Sequence, residues 1–496
     1  MGDRLVVRRG AYFDSVTLML ASRDAESQPG VDAAFAVAAT PLNRELLARR
    51  GFEVPEELGP DDLVVAVRSS SPDGEAAAVA AIEARLSARS DDAGAPADEP
   101  PRSLRSAVRR DPKLSVAFVS VPGRFAPYEI AQALDAGLHV FCFSDGVEIE
   151  YEVVLKRRAI ERGLLLMGPD CGTAIVDGIG LGFANELSPG PVGLVGASGT
   201  GIQEIACLLD ASGVGVSHAI GVGGRDLGER VAGAMTLHAL DVLARDDATE
   251  IVVVVSKPPN AAVARSVADS ARATGKPFVL AFPGARDLDL GGAPFETSLE
   301  DAARAAAGLA GGRFVDLGDP FARGPGRGFV RGLFAGGTTC LEAMSVVAAT
   351  TGPVRSNIAP DATDRVGATE RPRAHLFVDF GDDELTAGRA HPMIDPTLRD
   401  ERFDAEASDP DVGAVVLDVV LGHGAHPDPG GVLAPRVARA LRARDDLAVI
   451  ASVCGSAADP QDLGRQIAVL RDAGAVVTRS SAHAGRLALA AVGARS

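Results

Sequence analysis

Residues 191–204 read Pro191-Val-Gly-Leu-Val-Gly-Ala-Ser-Gly-Thr-Gly-Ile-Gln-Glu204, which is an apolar strand, a glycine turn and a helix start in succession. Glycines let a ligand approach the backbone closely, and the first amides of a helix have no partner within that helix. The helix dipole favours negative charge at the same end. The stretch predicts an α/β protein whose turn holds an anion such as phosphate, and a glycine turn that only packs helix against strand is the alternative. The phosphate-binding candidates here are Ser198, Gly199, Thr200 and Gly201.

Two further turns have the same form, because each follows an apolar run and opens a helix. They read Ala335-Gly-Gly-Thr-Thr-Cys-Leu-Glu342 and Leu421-Gly-His-Gly-Ala-His-Pro-Asp-Pro-Gly430. Their presence favours anion binding over simple packing. The further phosphate-binding candidates are Gly336, Gly337, Thr338, Gly422 and Gly424.

The last of these turns carries His423 and His426, which are candidates for a catalytic proton donor, a ligand or a phosphate acceptor. Loop histidines that hydrogen-bond to the backbone are the alternative. Spacing places no third ligand beside them, and the five cysteines are scattered without a ligand pattern. No metal site is therefore predicted.

Two more loops follow strands, at the edge where ligands of open α/β sheets gather. Gly168-Pro-Asp-Cys-Gly-Thr173 contains a cysteine that would be a nucleophile only with a base nearby, so a packed or pocket-lining thiol is favoured. Gly221-Val-Gly-Gly-Arg-Asp226 contains an arginine that suits phosphate or carboxylate unless it pairs with Asp226 or Glu229. The substrate-binding candidates of these loops are Pro169, Asp170, Cys171, Gly223, Gly224 and Arg225.

Three basic side chains complete the set of substrate-binding candidates. Lys257 ends a strand and is placed to steady an anion, although a surface lysine at a strand end is equally consistent. The proline-rich loop 388–399 holds His391 and Arg399. Loops of this kind often carry function, and stiffening of a connection is the alternative.

Composition limits the partners and the compartment. The 496 residues carry a formal net charge of −18, and only 4% are aromatic with no Trp, so the surface repels a phosphate backbone and offers few stacking platforms. Nucleic acid is excluded on these grounds. No run approaches the roughly 18 uncharged apolar residues that cross a bilayer, and the N-terminus opens into a strand without a signal-peptide pattern. A soluble cytoplasmic protein is expected.

The chain is expected to form several domains, because its length exceeds what one core usually serves. Residues 1–89 predict a small α+β layer called βαββαβ-like, with strands at 4–10, 31–39 and 62–68 and helices at 14–23, 41–49 and 74–89. The Asp-, Ala- and Pro-rich residues 90–112 predict a linker. Beyond it, short apolar strands alternate with helices in a parallel doubly wound pattern, with a second boundary near 320–330. The last region, 330–496, has its first predicted strand at Leu376 and matches the preceding α/β region in spacing.

Several of these stretches resemble a known family. Residues 115–285 resemble the α-subunit of succinyl-CoA synthetase, and residues 375–496 more weakly resemble the C-terminal CoA-ligase domain of its β-subunit. The full layout is similar to the FdrA family of acyl-CoA synthetase-like proteins. The motifs behind these resemblances are Ala133-Leu-Asp-Ala-Gly137, Gly168-Pro-Asp-Cys171, Ser198-Gly-Thr200 with Glu204, Gly221-Val-Gly-Gly-Arg-Asp226, Gly336-Gly-Thr-Thr-Cys-Leu-Glu342, His391-Pro-Met-Ile-Asp-Pro396 and Leu421-Gly-His-Gly-Ala-His-Pro-Asp-Pro429.

The resemblance implies a multi-domain α/β fold and a two-helix site. Two helix N-termini would face each other, near residues 198–201 and near residues 422–427. The expected domains are a ferredoxin-like α+β domain at 1–89, a truncated Rossmann-like CoA-binding-type domain at 113–189, and two flavodoxin-like succinyl-CoA synthetase-type ligase domains at 190–320 and 330–496.

The resemblance also implies a function, with two departures. Glu204 would be the catalytic carboxylate that orients the phosphohistidine of the ligases. The loop expected to carry that histidine, residues 284–297, contains none, and no ATP-grasp segment is recognisable. An acyl-CoA synthetase-like enzyme subunit that binds an acyl phosphate between two helix N-termini is implied. A carbamoyltransferase acting on carbamoyl phosphate and an acceptor such as oxamate is one alternative, and a non-catalytic regulator or scaffold is another. The expected ligands are CoA or an acyl or carbamoyl phosphate, and the expected partners are companion subunits or a second copy.

Overall fold

The computed structural model describes residues 2–11, 13–55, 57–87, 101–320 and 326–494. The chain divides into two units, each described by itself. Unit 1 comprises Met1–Pro100 together with Phe380–Leu398, and unit 2 comprises Pro101–Asp379 together with Arg399–Ser496. No helix in the described ranges is both long and apolar enough to cross a membrane.

Unit 1 is built on a three-stranded antiparallel sheet. Its elements are β1 Gly2–Arg8, α1 Ser15–Glu26, β2 Val31–Ala38, α2 Pro41–Arg49, β3 Leu63–Ser69 and α3 Pro72–Ser87.

The strand order in this sheet is β1-β3-β2. Residues of β3 alternate between two small cores: Val65 and Val67 pack against α1 and α3, while Val64 and Ala66 pack against residues of α2. The six predicted elements are all present in the predicted sequence, including the helix at 41–49 between β2 and β3, and only the name βαββαβ does not fit this order. This helix has the Thr cap and first-position Pro that favour a helix start.

Unit 2 begins with a helix inside the predicted linker, followed by a small parallel sheet of order β4-β5-β6. Residues 90–100 of that linker lie outside the described residues. The elements are α4 Leu104–Arg110, β4 Val116–Val119, α5 Ala126–Asp135, β5 His139–Cys142, α6 Ile149–Glu161 and β6 Leu166–Met167.

A six-stranded sheet of order β12-β11-β9-β10-β7-β8 follows. Its edge hairpin, β7 and β8, was not predicted, and neither was α10, whose alanine-rich sequence gave little apolar contrast. The elements are β7 Thr173–Val176, β8 Ile179–Gly182, β9 Pro189–Ala197, α7 Gly199–Ala211, β10 Val216–Gly221, α8 Ala234–Arg245, β11 Ile251–Ser256, α9 Ala261–Ala273, β12 Phe278–Ala281 and α10 Leu299–Leu309.

A second six-stranded sheet has the order β14-β15-β13-β16-β17-β18. Residues 321–325, within the predicted boundary before it, lie outside the described residues. The elements are β13 Phe329–Phe334, α11 Gly337–Thr351, β14 Arg355–Ser356, β15 Leu376–Asp379, α12 Asp383–Thr386 in unit 1, α13 Thr397–Ala407, β16 Val412–Val420, α14 Pro429–Ala443, β17 Ala448–Cys454, α15 Leu463–Asp472, β18 Val476–Thr478 and α16 Ser481–Ala491.

The strand β13 lies between β15 and β16 but was absent from the predicted strands. Arg331 interrupts the apolar pattern of this segment, so the sequence pattern did not indicate a strand there. In the structure Arg331 is buried, and its Nε donates to Glu406 Oε2 at 2.9 Å. The buried carboxylate of Glu406 compensates the charge of Arg331, and this allows β13 to be an internal strand.

The two large sheets place equivalent helix starts at equivalent points. In the first sheet β9 lies between β11 and β10, and α7 leaves its carboxyl end. In the second sheet β13 lies between β15 and β16, and α11 leaves its carboxyl end. Each helix therefore begins at the point where the strand order of its sheet reverses. Ligands of open α/β sheets usually bind in the crevice at this point.

A buried pair of carboxyl groups joins α7 and α11 to the start of α16. Glu204 and Glu342 are each the sixth residue of their helix and each only 1% exposed. The Ser481 amide donates to Glu204 Oε1 at 3.0 Å, and its hydroxyl lies against both carboxyl groups. One hydroxyl proton cannot serve two carboxylates, so the cluster holds a further proton. Burial, followed by the charge of Glu342, raises the pKa of Glu204 well above its usual range.

We expect the Glu204→Gln variant to remove a pH dependence of folding stability. The pKa of Glu204 is raised in the folded chain, so its contribution is complete below the unfolded value of 4.5 and is lost as pH rises through the folded value. Between the unfolded and the folded pKa the wild type should lose up to about 1.4 kcal/mol per pH unit relative to the variant, and above the folded pKa the difference should stay constant. Urea unfolding over a pH series measures this, with the exposed Glu229→Gln as control. Parallel curves for wild type and Glu204→Gln would show that Glu204 is not a neutral acid.

Candidate functional site

The starts of α7 and α11 touch each other. Ser198 caps α7, since its Oγ accepts from the Gly201 amide at 2.9 Å. The same hydroxyl donates to Thr338 Oγ1 at 2.7 Å. A β-carbon built on Gly336 would lie 2.5 Å from Thr200 Cγ2, so only glycine fits there. Candidates from two distant turns of the sequence therefore meet in one place, named here the helix-start site.

Asp418 holds the start of α11 in position. Its Oδ1 accepts from the Ala335 amide at 2.7 Å and its Oδ2 from the Gly336 amide at 2.9 Å. Arg399 Nη1 donates to the backbone oxygen of Asp418 at 2.9 Å and to its Oδ1 at 3.2 Å. Arg399 is buried. It therefore supports the site through Asp418, a role that differs from the substrate contact predicted for it from the sequence.

Sequence reasoning did not select Asp418, although a signal was present. It is a charged residue in β16, a strand that is otherwise apolar and buried along its whole length. A buried carboxylate in such a strand requires hydrogen-bond donors, and the amides at a helix start supply them. The pattern could have pointed to a buried functional carboxylate.

A cation and a carboxylate approach the start of α11 from neighbouring strand ends. A β-carbon built on Gly337 would lie 2.8 Å from Lys257 Nζ and 2.5 Å from Asp379 Oδ2. Lys257 follows β11 and Asp379 ends β15. Lys257 was a candidate from the sequence, whereas Asp379 was not. The helix-start site consists of Ser198, Gly199, Thr200, Gly336, Gly337, Thr338, Lys257 and Asp379.

Several amides of the site have no side-chain acceptor among the described residues. The Ser198 hydroxyl accepts a hydrogen bond from the amide of Gly201, and the Asp418 carboxylate accepts from the amides of Ala335 and Gly336. The amides without such an acceptor are those of Gly199, Thr200, Gly337 and Thr338. Both helix starts therefore keep donors for an anion.

The loop 422–427 does not supply the second facing helix, so the expected pairing is wrong. The helix after this loop, α14, begins at Pro429 and is capped by Asp428, which accepts from the Gly431 amide at 3.1 Å. The Gly422 amide donates to Gln461 Oε1 at 3.0 Å. The helix start in contact with α7 is that of α11. Sequence could not decide between two similar glycine turns, because their pairing depends on how the two sheets pack.

The two candidate catalytic histidines lie in this other loop. His423 is half-exposed, its amide donates to the Ala184 oxygen at 2.7 Å, and its Nε2 lies 2.5 Å from Glu186 Oε1. His426 Nδ1 accepts from the Asp428 amide at 3.0 Å. Gly424 packs beside Phe183, to which a β-carbon on it would come within 3.0 Å. These contacts are with the segment 183–186 and with Asp428.

The loops at Gly168 and Gly221 pack against each other. A β-carbon on Gly221 would lie 2.5 Å from Cys171 Sγ, and one on Gly223 would lie 3.1 Å from the Gly168 Cα. Burial raises the pKa of Cys171 to about 12, so this thiol is not ionised near neutral pH. The packed thiol favoured by the sequence is what the structure shows. Pro169 is buried in the same contact, while Asp170 and Gly224 are exposed.

Arg225 is engaged within unit 2. It pairs with Glu152 at 2.8 Å and donates to the Val147 oxygen at 2.8 Å. The partner is neither Asp226 nor Glu229, because Asp226 pairs with the buried Lys156 at 2.7 Å.

Burial shifts the pKa of the two remaining candidates, Glu204 and His391. The carboxyl of Glu204 is buried against Ser481 and Glu342. His391 belongs to unit 1, where burial lowers its pKa to about 4 and keeps the ring neutral. Both residues shape the fold around them.

Three family models match the chain. A CoA-ligase domain matches residues 333–491, a CoA binding domain matches residues 188–284, and the heavy metal-associated domain of AllF matches residues 1–101. Residues 1–101 contain neither Cys nor His, and no group of three metal-ligating side chains occurs in the described part of the chain. The N-terminal residues therefore do not fit a soft metal ion, which needs thiolate or imidazole ligands.

Comparison with known proteins gives relatives over the whole chain and over part of it. The uncharacterized protein YahF of Escherichia coli K12 is 40% identical over 507 residues, covering 98% of this chain and 98% of YahF. The succinate–CoA ligase [ADP-forming] subunit alpha 2 of Archaeoglobus fulgidus is 34% identical over 160 residues, 31% of this chain and 54% of that subunit. This chain therefore aligns with about half of the ligase subunit.

Among solved structures, a dinucleotide-forming acetyl-coenzyme A synthetase 1 of Candidatus Korarchaeum cryptofilum covers 77% of this chain and 82% of its own, with 16% identity and a TM-score of 0.32. The predicted multi-domain α/β fold with a small N-terminal α+β domain is confirmed by the sheets described above and by the CoA-binding and CoA-ligase matches. With the nearly full-length similarity to YahF, these matches show that the chain belongs to the FdrA-like family of acyl-CoA synthetase-like proteins.

Proposed function

We propose that this CoA-ligase-related chain binds an acyl phosphate at the helix-start site and transfers the acyl group to a bound acceptor. The observation that carries the proposal is the contact between the starts of α7 and α11, which gathers amide donors from both helices beside Lys257. A phosphate group matches this arrangement because it presents several acceptor oxygens and negative charge.

Local charge favours an anion at the site despite the charge of the whole chain. Each helix start acts as roughly half a positive elementary charge, so two starts and one lysine concentrate positive potential. The formal net charge of −18 opposes it over the rest of the surface. The carboxylate of Asp379 also approaches Gly337, and Lys257 offsets its repulsion of a bound phosphate.

The same groups fit the chemistry of acyl transfer. The acceptor attacks the carbonyl carbon of the acyl phosphate, the bond from that carbon to the phosphate oxygen breaks, and phosphate leaves into the amides. Asp379 takes the proton that the acceptor loses. Amides and Lys257 stabilise the charge that grows on the leaving phosphate, which is electrostatic catalysis by fixed donors. With the thiol of CoA as acceptor the products are an acyl-CoA and phosphate.

A second candidate function is carbamoyl transfer from carbamoyl phosphate to an acceptor such as oxamate. The observation that favours it is the loop 284–297, which contains no histidine, so transfer directly from the phosphate-bound substrate needs no phosphorylated side chain. The acceptor nitrogen attacks the carbamoyl carbon, phosphate leaves, and the nitrogen's proton passes to Asp379. The site residues keep the same roles as in acyl transfer.

The proposal includes a protein partner for this chain. The similar Archaeoglobus protein is named as a ligase subunit, which supports a companion subunit for this chain. A second copy of the chain is the other arrangement that we propose to test. Light scattering of the chain alone and with candidate partners distinguishes the two.

We expect Gly337→Ala to weaken binding of acetyl phosphate at least about tenfold, because the added methyl would displace Lys257 and Asp379. Isothermal titration calorimetry measures this affinity. Gly308→Ala in α10 is the matched control, since a β-carbon there meets nothing within 4 Å. Equal affinities for the two variants would remove the helix-start site from the proposal.

We expect Asp379→Asn to reduce turnover by about 100-fold while ligand affinity is retained, because the variant keeps the side-chain shape and loses the proton acceptor. Phosphate release is measured with acetyl phosphate plus CoA and with carbamoyl phosphate plus oxamate, for the chain alone and with its companion proteins. Release that depends on one acceptor identifies the reaction. Release that depends on neither contradicts both enzyme proposals and favours a regulator or scaffold.

A further inference from the structure

The strand β4 lies at one end of its sheet in unit 2, and its outer edge has no partner among the described strands. Its inner edge pairs with β5, where the Ser115 oxygen accepts from the His139 amide at 2.8 Å. Backbone groups alternate in direction along a strand, so the amides and oxygens of Val116 and Phe118 point to the outer edge. An open edge of this kind is a template for a further strand.

The residues with open backbone groups also expose apolar side chains. Val116 is 37% exposed, Phe118 is 54% exposed, and Leu114, two residues earlier, is 42% exposed. On the opposite face of the strand, Ala117 belongs to the core that includes α5. The ring of Phe118 contacts that of Phe141 in β5 with 4.8 Å between their centroids, and Phe141 is itself buried. The exposed strip, defined as Leu114, Val116 and Phe118, therefore lies on a face that is covered at β5 and open at β4.

Basic side chains flank the exposed strip in the sequence, although the chain as a whole is acidic. Residues 101–128 contain six Arg or Lys and one Asp, a net charge of +5, whereas the formal net charge of the chain is −18. Arg105 and Arg109 in α4 are exposed, and so is Lys113, which directly precedes the strip. Exposed charges act over roughly 10 Å at physiological salt, so this region attracts acidic groups.

We propose that β4 is a docking edge for an extended segment of an acidic partner protein. The segment adds a strand beside β4, with its backbone bonded to the open groups of Val116 and Phe118. Its alternate apolar side chains cover the exposed strip, and its acidic side chains lie near basic residues such as Lys113. The proposal rests on the companion subunit proposed above and not on the reaction at the helix-start site.

Two other occupants fit the docking edge less well. A second copy of the chain, paired edge to edge, would bring the basic residues of both copies together, and like charges across paired strands are destabilising. A lipid surface would leave the backbone groups of Val116 and Phe118 without hydrogen-bond partners. An acidic strand satisfies the backbone, the apolar strip and the charge at once.

Binding of a synthetic strand to the full chain tests the proposal. The probe is a short fluorescent peptide that alternates valine with glutamate. The control probe has the same sequence with N-methylated amides, which cannot pair with a strand edge. We expect the probe to bind with a Kd below about 1 mM and the control probe to bind at least about tenfold more weakly. Fluorescence anisotropy measures both affinities.

Variants of the chain locate the binding. Val116→Asp and Lys113→Glu should each weaken binding of the probe at least about tenfold, because both place a negative charge where the acidic strand lies. Ile179→Asp is the matched control, since Ile179 is 66% exposed on β8, the edge strand of another sheet, and its variant should keep the affinity. Thermal unfolding verifies that the variants fold. Their affinity for acetyl phosphate reports separately on the helix-start site.

Equal affinity of wild type, Val116→Asp and Lys113→Glu for the probe would overturn the proposal, as would equal affinity of the chain for the two peptides. A dimer in light scattering that Val116→Asp dissociates would overturn it in favour of a second copy. Binding to vesicles that contain phosphatidylserine, abolished by the same variant, would overturn it in favour of a membrane surface.

Discussion

The hydrogen bond between Ser198 and Thr338 is the constraint around which the larger unit is organised. It brings together two helices that leave the central strands of two different sheets. Two helix starts that face each other bring like partial charges together, so the contact is unfavourable without compensation. Asp418 provides it at the start of α11, through the amides of Ala335 and Gly336.

Buried ionisable groups carry the rest of this arrangement. Glu204 and Glu342 meet at Ser481 one and a half turns behind the contact, where a carboxyl held neutral can share hydrogen bonds that two carboxylates could not. The strand β13 can be internal despite Arg331, because Glu406 accepts a hydrogen bond from the arginine side chain. The fold therefore depends on matched buried charges as much as on its apolar cores, and each match joins elements that are distant in the chain.

Sequence patterns predicted most of the elements and part of the site. The apolar runs marked the alternation of short strands and helices that contains β11 and β12, since parallel strands buried on both faces are continuous in hydrophobicity. The patterns failed at β13, where a buried arginine breaks the run. Glycine turns marked the helix starts correctly but could not say which of them meet.

The sequence by itself determined the fold class, the glycine turns and candidate site residues such as Ser198 and Lys257, because these follow from local conformation and local chemistry. Tertiary structure alone decided that the start of α11 meets that of α7, that Asp379 belongs to the site and Asp418 supports it, and that Glu204 is a buried acid. The reason is physical. Pairings between distant turns and shifts in pKa come from packing and desolvation, which depend on neighbours that no local pattern contains.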